Sequence, residues 1–519
     1  AAPAQTTGSM PLCAGPLEPQ PLAASLGRWT CCSSSKARGS GHDGPGPPAR
    51  LGHRARRSSQ ALEDASQRHA SVPHLASAAA AAAAAALQSC RRRWQGRKAR
   101  APWRPSGPGR RLRLLPEEVT AAMLWPSIST LTFYEGDAPV ACLRERVIAL
   151  VEANPWLAGR LQGELGAACV WVPDALRSYA EMCFEELSVP GLRPDQPMTA
   201  MRQAVEGRLV GRGDQCLGQD EPLFRVLVLR TEPGRFALVM SLSHVLGDGH
   251  TYYRLFGALG QQDPRPASPI GWLPFGRDSR ASPILALNPR RKLEFSAAAT
   301  NALGPSKLEW AGSMPAQLGN VVGSRFKIGQ RWSAWEVDGS WVKAQKKGFL
   351  ALDEAERRGV PWVSTNDVLT SWFLRRGGYS YGFMSVNFRG KLCGLKDVHA
   401  GNYEGGVQFW PDEFGTPAGI RRSLSSPPRY RAGRADVPGL WTSLRGNFAV
   451  ATNWASVQTV CDLPGCKQLV HLPVLSKMFI DGGMIIFRPT PTTLGVVLGE
   501  RKLRQGALAA EPALGARIC

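Results

Sequence analysis

Residues 223–259 constrain this chain more than any other stretch. Leu223 to Arg230 and Arg235 to Ser243 are apolar, strand-like runs joined by Thr231-Glu232-Pro233-Gly234, a four-residue hairpin loop. In the second run Phe236, Leu238, Met240 and Leu242 alternate with Ala237, Val239, Ser241 and Ser243. That period of two predicts a strand burying one face well and a smaller face partly. The run ends at His244, and Asp248-Gly249 follows before His250 to Leu259 takes up helical spacing, with Tyr252, Leu255, Phe256 and Leu259 on one stripe. A buried strand, a turn carrying His and Asp, and an amphipathic helix call for a layered α/β or α+β body.

Similar signals recur on both sides. Ala141 to Leu161 starts as an amphipathic helix (Leu143, Val147, Leu150, Val151) and is stopped by Asn154-Pro155-Trp156. Trp341 to Arg358 reads as a helix. Ser364-Thr365-Asn366-Asp367 caps another, with Val368, Leu369, Trp372 and Phe373 as its apolar stripe. Strands are expected at Phe383 to Phe388, Phe448 to Val457, Met484 to Phe487 and Thr493 to Leu498.

Charge marks a boundary. The net charge of +22 suggests an anionic partner, but residues 1–113 hold 18 Lys/Arg against four acids. The same segment carries Gly/Pro/Ser clusters and nine consecutive alanines, Ala78 to Ala86. It has too few periodic apolar residues to offset the entropy of ordering, so a disordered basic low-complexity tail is expected there. A targeting peptide, a translated non-coding stretch and a nucleic-acid arm are the other readings. The last rests on ten basic residues between Arg91 and Arg113, with Trp94 and Trp103 interleaved. No folded nucleic-acid module accompanies it, and no nucleic-acid partner is expected. The expected organisation is therefore a tail over 1–113, a first half over 114–275, a Pro- and Gly-punctuated crossover over 276–340, a second half over 341–505 and a C-terminal tail over 506–519.

No apolar run reaches the length of a membrane span, and no Gly-rich loop closing on Gly-Lys-Ser/Thr supports nucleotide hydrolysis. Twelve cysteines in 519 residues are too sparse for a disulfide framework. Cys461 and Cys466 with His471 supply at most three metal ligands, so no metal is assigned. Reduced thiols and an intracellular location, cytoplasmic or organellar if the tail is a transit peptide, are expected.

His244, His250, His399 and His471 are the imidazoles outside the tail. An imidazole, with a pKa near 6.5, suits a general base at neutral pH. Structurally, Asp248 could cap the helix that follows, and His244 could be a satisfied strand-end residue. Gly378-Tyr379-Ser380-Tyr381-Gly382 spells a serine-hydrolase elbow, but the expected order there is helix, turn, strand, the reverse of what an elbow requires.

His244-Val245-Leu246-Gly247-Asp248-Gly249 resembles the His-x-x-x-Asp-Gly signature of the chloramphenicol acetyltransferase-like superfamily of CoA-dependent acyltransferases. Plant BAHD enzymes and peptide-synthetase condensation domains are among its members. Asn154-Pro155-Trp156-Leu157-Ala158-Gly159-Arg160-Leu161, Ser364 to Trp372, Val386-Asn387-Phe388-Arg389, Gly401-Asn402 and Thr452-Asn453-Trp454 are similar to further segments of that superfamily, in the same order over 114–505. The plant Asp-Phe-Gly-Trp-Gly box is replaced by Ile480-Asp481-Gly482-Gly483-Met484, which points to a divergent branch.

The resemblance implies a two-domain α/β fold with mixed sheets and helices, and transfer of an acyl group from acyl-CoA to a hydroxyl or amine of a small-molecule acceptor, in secondary or lipid metabolism. His244 would be the general base with no acyl-enzyme. Asp248 would turn away from substrate to pair with an arginine, for which Arg389 is the candidate, and Gly249 would allow the tight turn. Asn402 and Ser364 are candidate oxyanion donors, and His250 a candidate substrate contact. No permanently bound cofactor and a monomer are expected. A condensation-type domain joining carrier-bound substrates and a catalytically silent binding relative are the alternatives.

Overall fold

The computed structural model describes, with short gaps, residues 103–260, 331–425, 448–475, 482–500 and 506–519. Nearly all of the expected tail, most of the crossover, and Ile480-Asp481 of the altered plant box lie outside the described residues.

The first half contributes β1 (Gly109–Arg113), β2 (Ile128–Glu135), β3 (Arg160–Gln162), β4 (Cys169–Pro173), β5 (Phe184–Ser188), β6 (Phe224–Glu232) and β7 (Arg235–Leu242). The second contributes β8 (Arg331–Val337), β9 (Tyr381–Asn387), β10 (Glu404–Phe409), β11 (Phe448–Asn453), β12 (Lys467–Pro473), β13 (Gly482–Phe487), β14 (Gly495–Glu500) and β15 (Leu514–Arg517). They form sheets ordered β1-β4-β3, β12-β2-β7-β6-β5 and β10-β9-β11-β13-β14-β8-β15. The larger two are mixed: β5/β6, β9/β11 and β11/β13 are parallel and the remaining pairs antiparallel.

The expected hairpin is present, with β7 central and flanked by β2 and β6. One expectation needs correcting: every residue from Phe236 to Leu242 is buried, so the smaller face is fully covered rather than partly. Its polar side chains are satisfied from within, since Ser241 Oγ lies 2.8 Å from Ser129 Oγ and accepts from Val210 N at 3.0 Å. The following helix spans Gly249–Ala258, and its Tyr252 hydroxyl donates to the Met240 carbonyl at 2.9 Å.

Three expected boundaries also move. β1 falls inside the expected tail, yet it pairs along its length with β4. Its Arg-Arg-Leu-Arg sequence leaves most side chains exposed, so backbone hydrogen bonds define the strand and no hydrophobic pattern announces it. β8 falls inside the expected crossover, where only Ala334 among its residues is buried, and it nevertheless pairs with β14 and β15. β15 falls inside the expected C-terminal tail, whose Leu508, Ala513 and Cys519 are buried.

The second half also lends a strand to the first. β12, from the second half, pairs with β2 of the first. Trp454, Leu463, Leu472 and Ile485 accordingly share one core with Leu131, Leu238 and Phe256. A second core packs Leu369, Trp372 and Phe373 of the Thr365–Arg376 helix against Met384, Ala451, Ile486 and Leu498. Ser364 caps that helix reciprocally with Asp367. It is followed by a turn at Gly377–Ser380 and by β9, which begins at Tyr381, the order that an elbow cannot use. The expected Phe448–Val457 strand stops at Asn453, where Trp454 N bonds to the Ile486 carbonyl and the chain turns. Among the described residues no helix is long and apolar enough to cross a membrane.

Candidate active site

The site is assembled from the turn after β7 and the loop between β9 and β10. At the turn, Ser243 N still pairs with the Leu223 carbonyl, and Leu246 N closes back on Ser243 O. Asp248 caps the Gly249–Ala258 helix: its Oδ1 accepts from Thr251 N at 3.0 Å and from Thr251 Oγ1 at 3.1 Å. It also faces Arg389, whose Nη1 donates to Oδ2 at 2.7 Å and whose Nη2 donates to Oδ1 at 3.2 Å. Tyr403 N supplies a further bond to Oδ2 at 3.0 Å. The cap and the ion pair are therefore the same carboxylate, and both members of the pair are buried. Burial alone would raise the Asp248 pKa; the Arg389 guanidinium and the hydrogen bonds outweigh it and hold the carboxyl below its ordinary value.

Arg389 is itself fixed. Its Nε donates to the His399 carbonyl at 2.9 Å, Nη2 to the Gly401 carbonyl at 3.0 Å and Nη1 to Asn387 Oδ1 at 3.2 Å. Gly401 adopts a φ of +129°, in the region that favours glycine. Asn402 then sends its Nδ2 to the His244 carbonyl at 2.8 Å, so its amide holds the histidine's backbone.

Other expected site residues have different surroundings. Ser364 Oγ accepts from Asp367 N at 3.1 Å as a helix cap, at the edge of the cleft described below. His250 lines the cleft described below, but its Nε2 lies 3.1 Å from the Asp397 carbonyl, and burial followed by the nearby Arg389 charge lowers its pKa. Gly249 does not allow the turn through its backbone conformation. Its φ is not positive, and a Cβ there would meet Trp454 Cδ1 at an ordinary 3.6 Å. The close approach is at Gly247, where a Cβ would lie 2.7 Å from Thr251 Cγ2. The Asn154–Leu161 segment serves the fold: Arg160 is fully buried and its Nε donates to Asp220 at 2.8 Å.

A residue not singled out from the sequence completes the arrangement. Glu404, at the start of β10, puts Oε1 3.6 Å from His244 Nε2, while Ser385 donates its hydroxyl to Oε2. Its signal was a carboxylate two residues beyond Gly401-Asn402, in a segment that otherwise reads as a strand. Burial raises its pKa, against the opposing influence of His244. His244 Nδ1 is buried and has no hydrogen-bond partner among the described residues, which leaves Nε2 as the nitrogen facing Glu404.

A cleft of about 270 Å³ opens beside Glu404, lined among others by Ser364, Lys391, Arg421 and Trp454. Arg421 pairs with Asp367 and lies 4.0 Å from the ring centroid of the exposed Trp362. Burial, then the neighbouring Arg421 charge, lowers the Lys391 pKa. The cleft lining thus carries both signs of charge, Lys391 and Arg421 with Asp248, Asp367 and Glu404. The seven cysteines among the described residues are all free, and burial raises every one of their pKa values, Cys216 and Cys461 to about 12. None of these thiols is an activated nucleophile.

The architecture is the two-domain chloramphenicol acetyltransferase-like fold. F. graminearum TRI101 complexed with coenzyme A and T-2 mycotoxin superimposes with a TM-score of 0.50 at 13% identity, covering 78% of this chain and 98% of that one. The same protein complexed with coenzyme A and deoxynivalenol gives the same values. The first condensation domain of the calcium-dependent antibiotic synthetase is similar over 76% of this chain, with a TM-score of 0.47 and 11% identity. No protein-family model and no curated protein matches the chain.

Proposed function

We propose that this protein is an acyltransferase that moves an acyl group from acyl-CoA to a hydroxyl or amine of a small acceptor, with His244 as general base. The observation that carries the reading is the clamp on Asp248. One carboxylate accepts five hydrogen bonds, from the helix that follows it and from Arg389 and Tyr403 of the other half. A clamp of that kind gives the turn before it a single conformation and so aims the one histidine it contains. A helix cap alone needs only the Thr251 bonds.

In this reading His244 Nε2 takes the proton of the acceptor's O–H or N–H as the heteroatom attacks the thioester carbon. The tetrahedral intermediate collapses with cleavage of the C–S bond, and the imidazolium returns the proton to the departing thiolate. The base is regenerated and no acyl-enzyme forms. Lys391 in the cleft lining is the cation suited to a phosphate of the donor, while Arg421 beside it is held by Asp367.

The test uses the full chain with mixed acyl-CoAs and a panel of alcohols and amines, following free thiol. His244→Ala is expected to slow acceptor-dependent thiol release by about 10² to 10⁴-fold. Release at the wild-type rate in that variant would refute His244 as the base.

A further inference from the structure

We propose that Trp362 determines which donor this site takes: the adenine of coenzyme A stacks on its exposed indole, beside Lys391 at the mouth of the cleft. The site is then fitted to a free CoA thioester and not to a pantetheine arm carried on a protein. The inference deepens the proposed reaction and rests on that reading for the identity of the donor.

Trp362 stands in the irregular segment that leads into the Thr365–Arg376 helix. Val360 and Val363 anchor that segment in a small core with Phe349 and Val368, while Trp362 itself is 52% exposed. A single exposed apolar side chain carries no meaning by itself; what distinguishes this one is its setting. Arg421 packs on one face of the ring, its Cζ 4.0 Å from the centroid. Asp367, fully buried, holds that guanidinium through Nε at 2.8 Å and Nη2 at 2.6 Å. The indole is therefore fixed before any ligand arrives, and the rest of its surface is a preformed aromatic platform.

The same arginine ties the platform to the cleft, which it lines together with Ser364, Asn366 and Lys391. Lys391 still reaches solvent, so it marks the mouth. Of the carboxylates in the lining, Asp248 is taken by Arg389 and Asp367 by Arg421, and Glu404 lies beside His244. Lys391 is left without a carboxylate partner among the described residues, and after burial the Arg421 charge is what disfavours its own charge. Two neighbouring cations against one carboxylate favour an added anion. Lys346 brings a third cation, its Nζ donating at 2.8 Å to Thr365 Oγ1, three residues along the chain from Trp362.

Coenzyme A matches this order of groups. With its thioester at His244, its phosphates supply the negative charge that Lys391 lacks, and its adenine, at the far end of the molecule, is a flat ring for the indole outside the cleft. Stacking of a base on an aromatic side chain needs no hydrogen-bond readout. A pantetheine arm on a carrier has one phosphate and no base, and would leave Trp362 in water.

The test uses the full chain and reads binding without turnover, by calorimetric titration with CoA, with adenosine 3′,5′-bisphosphate and with pantetheine. Trp362→Ala is expected to raise the Kd for CoA and for the bisphosphate by about 10-fold, and Trp362→Phe, which keeps a flat ring, by less. Pantetheine, which lacks the base, should bind wild type and Trp362→Ala alike. Equal CoA affinity in those two proteins overturns the inference, as does a wild type that holds pantetheine as tightly as CoA. Should Trp362→Ala fail to fold, the wild type answers the question: adenosine 3′,5′-bisphosphate is expected to shield Trp362 from hydroxyl-radical oxidation, read by fragmentation mass spectrometry, and no shielding is equally decisive. CoA binding that depends on Trp362 in a chain without acyl transfer would sink the proposed function and leave the subsite intact. Acyl transfer from CoA with equal affinity in the two proteins would do the reverse.

Discussion

His471 lies between Thr132 Oγ1, 2.8 Å from its Nδ1, and the Tyr253 hydroxyl, 3.1 Å from its Nε2, and burial pushes its pKa down to about 3. Its folded pKa is below the unfolded value near 6.5. The unfolded chain therefore takes up a proton first, and stability present above pH about 6.5 is lost as pH falls towards 3. In denaturant titrations, the stability gap between wild type and His471→Gln should shrink by about 2 to 3 kcal/mol from pH about 7 to 4.5. A constant gap would mean that the imidazole titrates in the fold as it does in the unfolded chain. The Asp248–Arg389 pair makes the opposite demand, because removing one member strands a buried charge. Asp248→Asn is expected to cost about 3 to 5 kcal/mol. In a double-mutant cycle with Arg389→Gln, a coupling near zero would refute the clamp. His244 and Asp248 were legible because a strand-end histidine before an Asp-Gly turn is a local pattern. Glu404 was not, since its meaning depends on a neighbour 160 residues away in the chain.

At the scale of elements, short-range signals located the β6–β7 hairpin, the Ser364 cap and the helix after Asp248, because each rests on alternation or capping within about ten residues. β1, β8 and β15 escaped for one physical reason. Each is held by backbone bonds to distant partners, with few buried side chains of its own. Their contribution can be measured by truncation. Trp103 N bonds to the Gly218 carbonyl, and its ring packs on Trp171 at 5.5 Å. A chain starting at Trp103 should therefore melt higher than one starting at Leu114, which lacks β1 and exposes the edge of β4. At the other end, Ile518 N and Cys519 O bond to Ala334 of β8, and Asp338 N to the Ala513 carbonyl. Stopping the chain after Glu500 should lower the melting temperature by several degrees, since it uncovers β8 and the cavity filled by Leu508. Equal melting temperatures in either comparison would show that these edges are dispensable.

For the whole molecule, β12 crosses from the second half to pair with β2, and one core draws on both halves. The two halves should consequently unfold together, in one calorimetric transition whose van't Hoff and calorimetric enthalpies agree. Two resolved transitions would show that the exchanged strand does not couple them. The net charge of +22 divides unevenly along the chain, and most of the basic excess concentrated in residues 1–113 lies outside the described residues, Arg110, Arg111 and Arg113 of β1 excepted. The sequence by itself determined the layered α/β class, the strand–turn–helix that carries His244 and Asp248, the caps and the hairpin. All of these follow from side-chain periodicity and turn chemistry within a few residues. Arg389 was already the candidate partner of Asp248; only the tertiary structure decided that Asn402 holds the His244 backbone, that Glu404 stands beside the imidazole, and that the halves share a strand. Those outcomes depend on which distant backbone edges and buried charges meet, and a buried charge or an unpaired strand edge is satisfied in space, not along the chain.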